Sequence, residues 1–476
     1  MADARLRFGM LGCAGIGKKF CTSAAEAGNA VLVAVASRSL EKAEAYVAEH
    51  CPGARAFGSY DELLEDPEVQ AVYIPLPTVG RGDWVVKAAA KGKHVLCEKP
   101  LEGSLKAAQR MVTACREAGV QFMDNTMFVH HDRQAAVQKA ISSGGLVGPP
   151  RHVVSAFSLP LGDDREWAKG NIRTKRDQEP LGCLGDLGWY CVRFTLFAFG
   201  YDKPEAVSCH FVEESADGVP LKVMASMRFS GGRTASFDCS FRHPWRQWVE
   251  VCGRELTLTM DDFVIAGKPE GASFTISRTY PGEKDLFFPK EVVRTETVGR
   301  CLQHVRLVEK FASLALAGAP DDFWPAVAME TQTVVTALVA SARRGAEWVQ
   351  PRAPQAGRPV AAARPTFQEV ADITPDSRGL NLMAKVVSVQ PGGDAVLADA
   401  SGAVTLSRRG DGAHDAVLRE GASLVVRNAS TRVVGGFVRL VVDRWGKLEV
   451  SPEPFDFTPK VDNDVSSTEY ELVYQW

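Results

Sequence analysis

The chain reads as an α/β protein with a doubly wound parallel sheet first, a β-rich second α/β domain next and a small all-β barrel last. Three observations predict this order. Up to about Asn125, short apolar runs alternate with helical patterns, the arrangement of parallel strands joined by crossover helices. From Arg151 to Phe288 the pattern turns to period-two alternation and then returns to helix. Beyond Glu347 a stretch rich in proline and alanine interrupts the pattern, and five short strand-like segments follow.

The 476 residues, 45% hydrophobic and 24% charged with a formal net charge of -3, suit two or three globular domains and give no strongly basic surface over the whole chain. The first residues lack the apolar run of a secretory signal, and no stretch approaches the roughly 20 apolar residues of a membrane span. A cytoplasmic protein with no membrane partner is expected. All eleven cysteines fall between Cys13 and Cys301 without a Cys-x-x-Cys pair, which points to reduced thiols rather than a disulfide framework or a zinc site.

In the first domain, expected strands are Leu6 to Leu11, Val31 to Ala36, Val69 to Ile74, His94 to Leu96 and Gln121 to Met123. Expected helices are Gly17 to Ala27, Leu40 to His50, Tyr60 to Glu65, Asp83 to Lys91 and Ser104 to Ala118. The first turn reads Gly12-Cys13-Ala14-Gly15-Ile16-Gly17, a Gly-x-Gly-x-x-Gly pattern with alanine in second place. Gly12 makes the tight turn, the small Ala14 lets the backbone approach a pyrophosphate, and Gly17, after Gly15 and Ile16, lets the helix pack closely with its N-terminus facing the anion. A dinucleotide is implied by this pattern between a strand and a helix. After the second strand come Ser37-Arg38-Ser39, hydrogen-bond donors where a carboxylate would repel a 2′-phosphate, so NADP is favoured with NAD as the alternative.

Two stretches carry the candidate chemistry: Cys97-Glu98-Lys99-Pro100 closes a strand, and Gly185-Asp186-Leu187-Gly188-Trp189-Tyr190 opens a helix. Hydride transfer needs a partner that moves a proton, and a phenol whose pKa a nearby ammonium lowers suits that role. Each residue also has a plainer reading. Lys99 is then a solvated charge, Asp186 a helix N-cap, and Tyr190 a core aromatic beside Trp189.

Together these motifs resemble the Gfo/Idh/MocA oxidoreductase family, particularly its plant-type, glucose-fructose oxidoreductase and dihydrodiol-dehydrogenase-like members, from Arg5 to about Gln350. The matching stretches are Gly9 to Phe20, Ala36 to Ala43, Glu98-Lys99-Pro100, Asn125 to His130 and Leu181 to Arg193. The resemblance implies a Rossmann domain over residues 1–128 and, over 129–348, an α/β domain on a large, mostly antiparallel open sheet. One sheet face would cover the nicotinamide pocket and the other would pair two copies in a homo-oligomer. It places Lys99 at the nicotinamide ribose beside Glu98, with Pro77 and Thr78 on the nicotinamide side. Tyr190 would take a hydroxyl proton from a small polyol, sugar or diol, with Lys99 stabilising the phenolate and Asp186 orienting the substrate. Arg173, Phe128, His130 and Trp189 are further substrate-pocket candidates. His130-His131 has no metal-like spacing to another ligand, and no metal is expected. Relatives carry a histidine a few residues after Thr78, whereas this chain reads Val79-Gly80-Arg81-Gly82-Asp83.

Strands of the second domain are expected at His152 to Ser158, Ala206 to Val212, Leu221 to Phe229, Thr234 to Phe241 and Trp248 to Val251, with helices at Cys301 to Leu316 and Ala326 to Arg343. Trp245 and Trp248 are expected on the sheet or at its dimer face. A flexible linker is expected over 349–375, then a barrel over 376–450 with strands Leu380 to Val389, Asp394 to Asp399, Gly402 to Ser407, Ser423 to Ala429 and Phe437 to Asp443. Its segments, Asn381 to Val389 and Leu397 to Ser407 among them, resemble the small single-stranded DNA-binding proteins of the single-strand sensor complex, an oligonucleotide-binding fold. Where those relatives carry stacking aromatics this chain has Arg409, Ser430, Val434 and Val441. Arg408, Arg409, Arg427, Arg432, Arg439 and Arg444 leave open a basic phosphate-binding surface, against a solvated face on a structural module. The acidic, aromatic tail over 451–476 is expected to be disordered by default, with packing on the barrel or docking to a partner as alternatives. Two functions follow: an NADP-dependent oxidoreductase, or a nicotinamide-sensing scaffold whose barrel binds nucleic acid or protein.

Overall fold

The computed structural model describes residues 5–161, 171–267, 270–279, 290–352, 367–375, 377–407, 417–434, 436–442 and 447–469. The chain divides into two compact units, Met1–Gln355 and Ala356–Trp476.

The first unit opens with strands β1 (Leu6–Leu11), β2 (Ala30–Ala36), β3 (Arg55–Phe57), β4 (Ala71–Ile74), β5 (His94–Cys97) and β6 (Phe122–Asp124). They form a parallel sheet in the order β3-β2-β1-β4-β5-β6. Helices α1 (Gly15–Glu26), α2 (Leu40–His50), α3 (Tyr60–Glu65), α4 (Arg81–Ala90) and α5 (Leu105–Glu117) connect them. Ser39 and Ser104 start α2 and α5 by accepting the amides of Lys42 and Ala107 at 3.3 and 3.2 Å. The edge strand β3 has no apolar run to announce it. Strand order reverses between β1 and β4, so the turns after both strands face one crevice, where ligands of such sheets bind.

After α6 (Arg133–Ala140), an eight-stranded sheet is built from β7 (His152–Ser158), β8 (Ala206–Glu214), β9 (Pro220–Arg228), β10 (Thr234–Ser240), β11 (Arg246–Cys252), β12 (Thr257–Met260), β13 (Gly271–Thr279) and β14 (Lys290–Gly299). The order is β14-β13-β12-β11-β7-β10-β9-β8, antiparallel except where β10 runs beside β7. The sequence did not mark β12 to β14, because serine and threonine alternate with their buried residues and β14 is a charged edge. Helices α7 (Trp189–Ala198) and α9 (Phe323–Ala342) cover the inner face, where Ser341 Oγ accepts the Cys209 amide at 3.0 Å. Helix α8 (Gln303–Leu316) instead returns to the first sheet. Its buried Phe311 meets Phe8 of β1, with ring centroids 5.6 Å apart.

The second unit contains β15 (Arg378–Val389), β16 (Ala395–Ala398), β17 (Ala403–Leu406), β18 (Ser423–Val434), β19 (Phe437–Val441) and β20 (Lys447–Val450). The order β15-β16-β17-β19-β18-β20, with β15 also pairing β18, closes a barrel around Leu382, Val404, Leu424 and Leu440. The expected linker is shorter than the composition suggested. Val349 pairs with Val207 in the first unit, while Val370 and Ile373 lie in the barrel core. The tail also departs from the expectation of disorder. The Asn463 carbonyl accepts the Ala403 amide and Ser466 Oγ accepts the Thr405 amide, each at 2.8 Å, and Glu469 bridges to Phe437. All four residues of β17 are buried, Val404 and Leu406 in the barrel core and Ala403 and Thr405 where the tail bonds to their amides. Composition could not reveal this, because the tail is held through main-chain groups, the side chains of Asn463 and Ser466 and the single apolar residue Val465 rather than an apolar run. Among the described residues, no helix is long and apolar enough to cross a membrane.

Candidate active site

Gly12 ends β1 with a φ of +112°, a conformation that L side chains rarely adopt. Gly17 packs the helix onto the sheet, since a Cβ there would lie 2.8 Å from both Met10 Sδ and Tyr46 Oη. Gly15 faces open space, with nothing within 4 Å of a Cβ. Ala14 offers no side-chain cap and α1 carries no acid in its first turn, which suits an anion at the Gly15 and Ile16 amides, the Gly17 amide being taken by the Ala14 carbonyl at 3.0 Å. Tyr46 Oη donates to the Ala14 carbonyl at 3.1 Å and holds the turn from below. These residues fit the pyrophosphate of a dinucleotide. Beside them Ser37 is buried, Ser39 caps α2, and Arg38 is exposed.

Lys99 and Asp186, 87 residues apart, meet directly. Lys99 Nζ donates to Asp186 Oδ1 at 2.6 Å and to its main-chain oxygen at 2.9 Å. Arg173 Nε donates to the other carboxylate oxygen at 2.8 Å. Asp186 is therefore not a helix cap. It sits in a π-helical turn, Leu184–Gly188, that runs into α7, an irregularity frequent at functional sites. Glycine permits that turn: a Cβ on Gly185 would lie 2.6 Å from Leu181 Cβ, and one on Gly188 2.8 Å from Leu184 Cδ1.

The Lys99 ammonium lies 4.9 Å from the Tyr190 ring centroid. Burial lowers the Lys99 pKa, but Asp186, Tyr190 and Glu98 more than offset it and hold the group above an ordinary lysine. Burial raises the Asp186 pKa, yet Lys99 and Arg173 keep it well below the usual carboxylate range. Tyr190 corrects the expectation of a lowered phenol. Burial outweighs the pull of Lys99, whose charge is already shared with Asp186, and the phenol is pushed up to about 12.

A cavity of about 500 Å³ runs from Ala14, Gly15 and Ile16 to Lys99, Asp186 and Tyr190, with Arg173, Pro77 and Glu98 also lining it. A second cavity of about 650 Å³, between α5 and α9, holds none of the candidate residues. Glu98 accepts from Tyr73 Oη at 2.6 Å and Asn125 Nδ2 at 2.5 Å, so its carboxylate is spent inside the protein. Thr78 is buried, with its amide on Glu179 Oε1 at 3.1 Å and its hydroxyl on Glu179 Oε2, and is not on the cavity wall.

Three substrate candidates fall outside the cavity. Trp189 is fully buried and donates Nε1 to Thr126 Oγ1 at 2.8 Å. Phe128 is buried behind Tyr190, with ring centroids 6.0 Å apart. His130 stacks on Trp324 at 4.5 Å, and burial drives its pKa down to about 3, so it is neutral. Each follows a recognisable motif, but the apolar surroundings claim the ring.

The sequence reading also missed wall residues. Arg81, noted only as a departure from relatives, is buried and donates to the carbonyls of Leu76 at 2.9 Å, Glu98 at 2.7 Å and Pro100. It clamps the turn after β4 to the end of β5. Trp245, expected on the sheet or dimer face, lies in the turn before β11 and lines the cavity. Among the described residues, no cluster of His, Cys, Asp or Glu could hold a metal ion.

In the barrel, Arg439 Nη1 donates to the Ser466 carbonyl at 3.2 Å, and Arg427 Nε lies 3.5 Å from Glu449. Arg432 faces Arg439 across β18 and β19, Val434 is exposed, and Ser430 and Val441 pair between the same strands. Arg408, Arg409 and Arg444 lie outside the described residues.

Three family models match the chain. Residues 6–126 match the oxidoreductase family with an NAD-binding Rossmann fold, 135–259 the GFO/IDH/MocA C-terminal domain, and 391–450 the Ssb-like single-stranded DNA binding protein, OB fold. D-xylose 1-dehydrogenase (NADP(+)) 2 of Haloferax volcanii is 31% identical over 341 residues, covering 72% of this chain and 98% of that protein. The dTDP-3,4-didehydro-2,6-dideoxy-alpha-D-glucose 3-reductase of Streptomyces violaceoruber is 34% identical over 260 residues, 54% of this chain and 72% of that one. Among solved structures, KijD10, a 3-ketoreductase from Actinomadura kijaniata in complex with NADP and TDP-benzene, superimposes with a TM-score of 0.61 at 26% identity, over 71% of this chain and 98% of that one. With a relative above 30% identity matched over nearly its full length and both domain models in sequence, the chain belongs to the GFO/IDH/MocA oxidoreductase family.

Proposed function

We propose that the first unit is an NADP-dependent oxidoreductase interconverting a secondary alcohol and a carbonyl on a small sugar, polyol or diol, and that it is best suited to carbonyl reduction. The carrying observation is the phenol of Tyr190 beside the Lys99–Asp186 pair, in the same cavity as the glycine turn. The nicotinamide, when bound, supplies or accepts the hydride. Gly12, Ala14, Gly15, Ile16 and Gly17 bind the pyrophosphate, and Ser37, Arg38 and Ser39 donate to the ribose 2′-phosphate. Pro77 borders the nicotinamide side, while Glu98, tied to Tyr73 and Asn125, lines the same cavity next to Lys99.

With a pKa of about 12, Tyr190 carries its proton at neutral pH and gives it to a carbonyl oxygen as that oxygen gains charge. Lys99 stabilises the resulting phenolate. Asp186, held ionised between two cations, is a poor base; its work is to fix Lys99 and Arg173 in place. NADP is supported by the absence of a carboxylate at Ser37-Arg38-Ser39 and by the cofactors named for the xylose dehydrogenase and KijD10. A second copy would pair through the outer face of the eight-stranded sheet, where Met224 of β9 is 57% exposed. Light scattering tests that pairing.

NADPH and NADH titration followed by initial rates in both directions across pH tests the main reading. Oxidation needs the phenolate, whose share grows about tenfold per pH unit below its pKa, so oxidation should climb from pH 7 to 10 while reduction stays flat. Absence of NADPH binding would sink the proposal, and a flat oxidation profile would remove Tyr190 from proton transfer.

A further inference from the structure

The turn between β10 and β11 presents a tryptophan to the cavity that holds Tyr190 and Lys99, and leaves it 51% exposed. Its placement is built by the turn. Ser158 Oγ donates to the Pro244 carbonyl at 2.6 Å and accepts from Arg246 Nε at 3.2 Å, while the Arg246 guanidinium pairs with Asp238. Both neighbours of Trp245 are thereby fixed. Phe157 stands edge-on to Trp245 at 6.1 Å and edge-on to Tyr190 at 5.6 Å. The three rings form an aromatic wall from the cavity mouth to the proton donor.

Two exposed isoleucines, Ile172 and Ile265, also line this cavity, as do the charged groups of Lys99, Arg173 and Asp186. The cavity thus combines carbon surface with hydrogen-bonding groups. A sugar ring or a carbocyclic diol has the matching character: its C–H bonds group on a face, its hydroxyls project from the rim, and the electron-rich indole face attracts polarised C–H groups. An open-chain polyol offers hydroxyls in every direction and has no such flat patch. We infer that Trp245 is a specificity-determining platform that selects a ring-form substrate, stacking on its C–H face while the ring carbonyl or hydroxyl reaches Tyr190. The inference rests on the oxidoreductase reading of the cavity.

The test uses the full-length chain loaded with NADPH, as wild type, Trp245→Ala and Trp245→Phe. Calorimetry measures binding of two ring probes, 1,5-anhydro-D-glucitol and trans-cyclohexane-1,2-diol, and of open-chain xylitol; NADPH fluorescence reports cofactor affinity. Trp245→Ala should weaken ring-probe binding about tenfold, the size expected of a stacked aromatic contact, with partial recovery in Trp245→Phe. Affinity for xylitol and NADPH should change less than about twofold. Where turnover is measurable, the loss should fall on KM and spare kcat. Ring-probe affinity unchanged in Trp245→Ala, or equal losses for ring and open-chain probes, would overturn the inference. Ring probes that fail to bind wild type while NADPH binds would also overturn it and leave the oxidoreductase reading standing; failure of NADPH itself would bring down both.

Discussion

The dehydrogenase cleft and the barrel face belong to folds with matched relatives that bind phosphate-bearing ligands, but the two treat their charges differently. In the cleft, α1 opens at Gly15 and Ile16 with no side-chain cap and no acid in its first turn, and Lys99 and Arg173 converge on one carboxylate at a cavity wall. In the barrel, Arg439 is spent on the Ser466 carbonyl, Lys385 donates to the Phe457 carbonyl at 2.7 Å, and Arg427 lies against Glu449. Strand β17 is buried along its length, and the tail takes its Ala403 and Thr405 amides. Strands two and three of such barrels form the usual oligonucleotide face, and here two amides of strand three are already bonded to the tail. A matched fold argues for a site where polar groups remain available to a ligand, and among the described residues the cleft meets that condition more fully than the barrel.

The largest effect that would break this contrast is at Tyr190. Tyr190→Phe should lower turnover by about 10²- to 10⁴-fold, the usual worth of a positioned acid or base, with NADPH affinity retained. Steady-state rates beside a fluorescence titration check it, and unchanged turnover would remove the proton-transfer role from the cleft. Next comes Arg38→Glu, which replaces a 2′-phosphate donor with a repelling charge. Its NADPH affinity should fall about 10- to 100-fold, with little loss for NADH. In the barrel, Ser466→Ala leaves the Thr405 amide without its partner and should cost about 1 to 2 kcal/mol, read from denaturant unfolding of the full chain. The smallest expected effect is no effect: an oligothymidylate titrated into the full chain at low salt should give no binding signal. Binding that weakens with a steep salt slope would show a phosphate-contacting surface and erase the contrast.

Residues whose chemistry depends on neighbours in sequence were the legible ones. The turn Gly12 to Gly17 is defined by its own strand and helix, and the motifs around Lys99 and Asp186 placed both residues on one cavity despite their separation. Trp189 and Trp245 mark the limit, since an indole reads the same whether buried against Thr126 or open to a cavity. Arg81 fails for another reason. Its partners are main-chain carbonyls, which carry no residue signature. The shift of Tyr190 was missed because a nearby ammonium is visible as a motif, whereas the burial that overrides it belongs to the assembled core.

Helix α8 has a consequence for how the chain is made. Asn29 Nδ2 donates to the Glu309 carbonyl at 2.9 Å, and Leu307, Phe311 and Ala312 lie in the core cluster that includes Leu6, Phe8 and Met10 of β1. The nucleotide-binding sheet is thus completed by residues that leave the ribosome long after its own strands. During synthesis that apolar face waits for its cover, so a nascent chain stalled before α8 exposes the surface chaperones recognise.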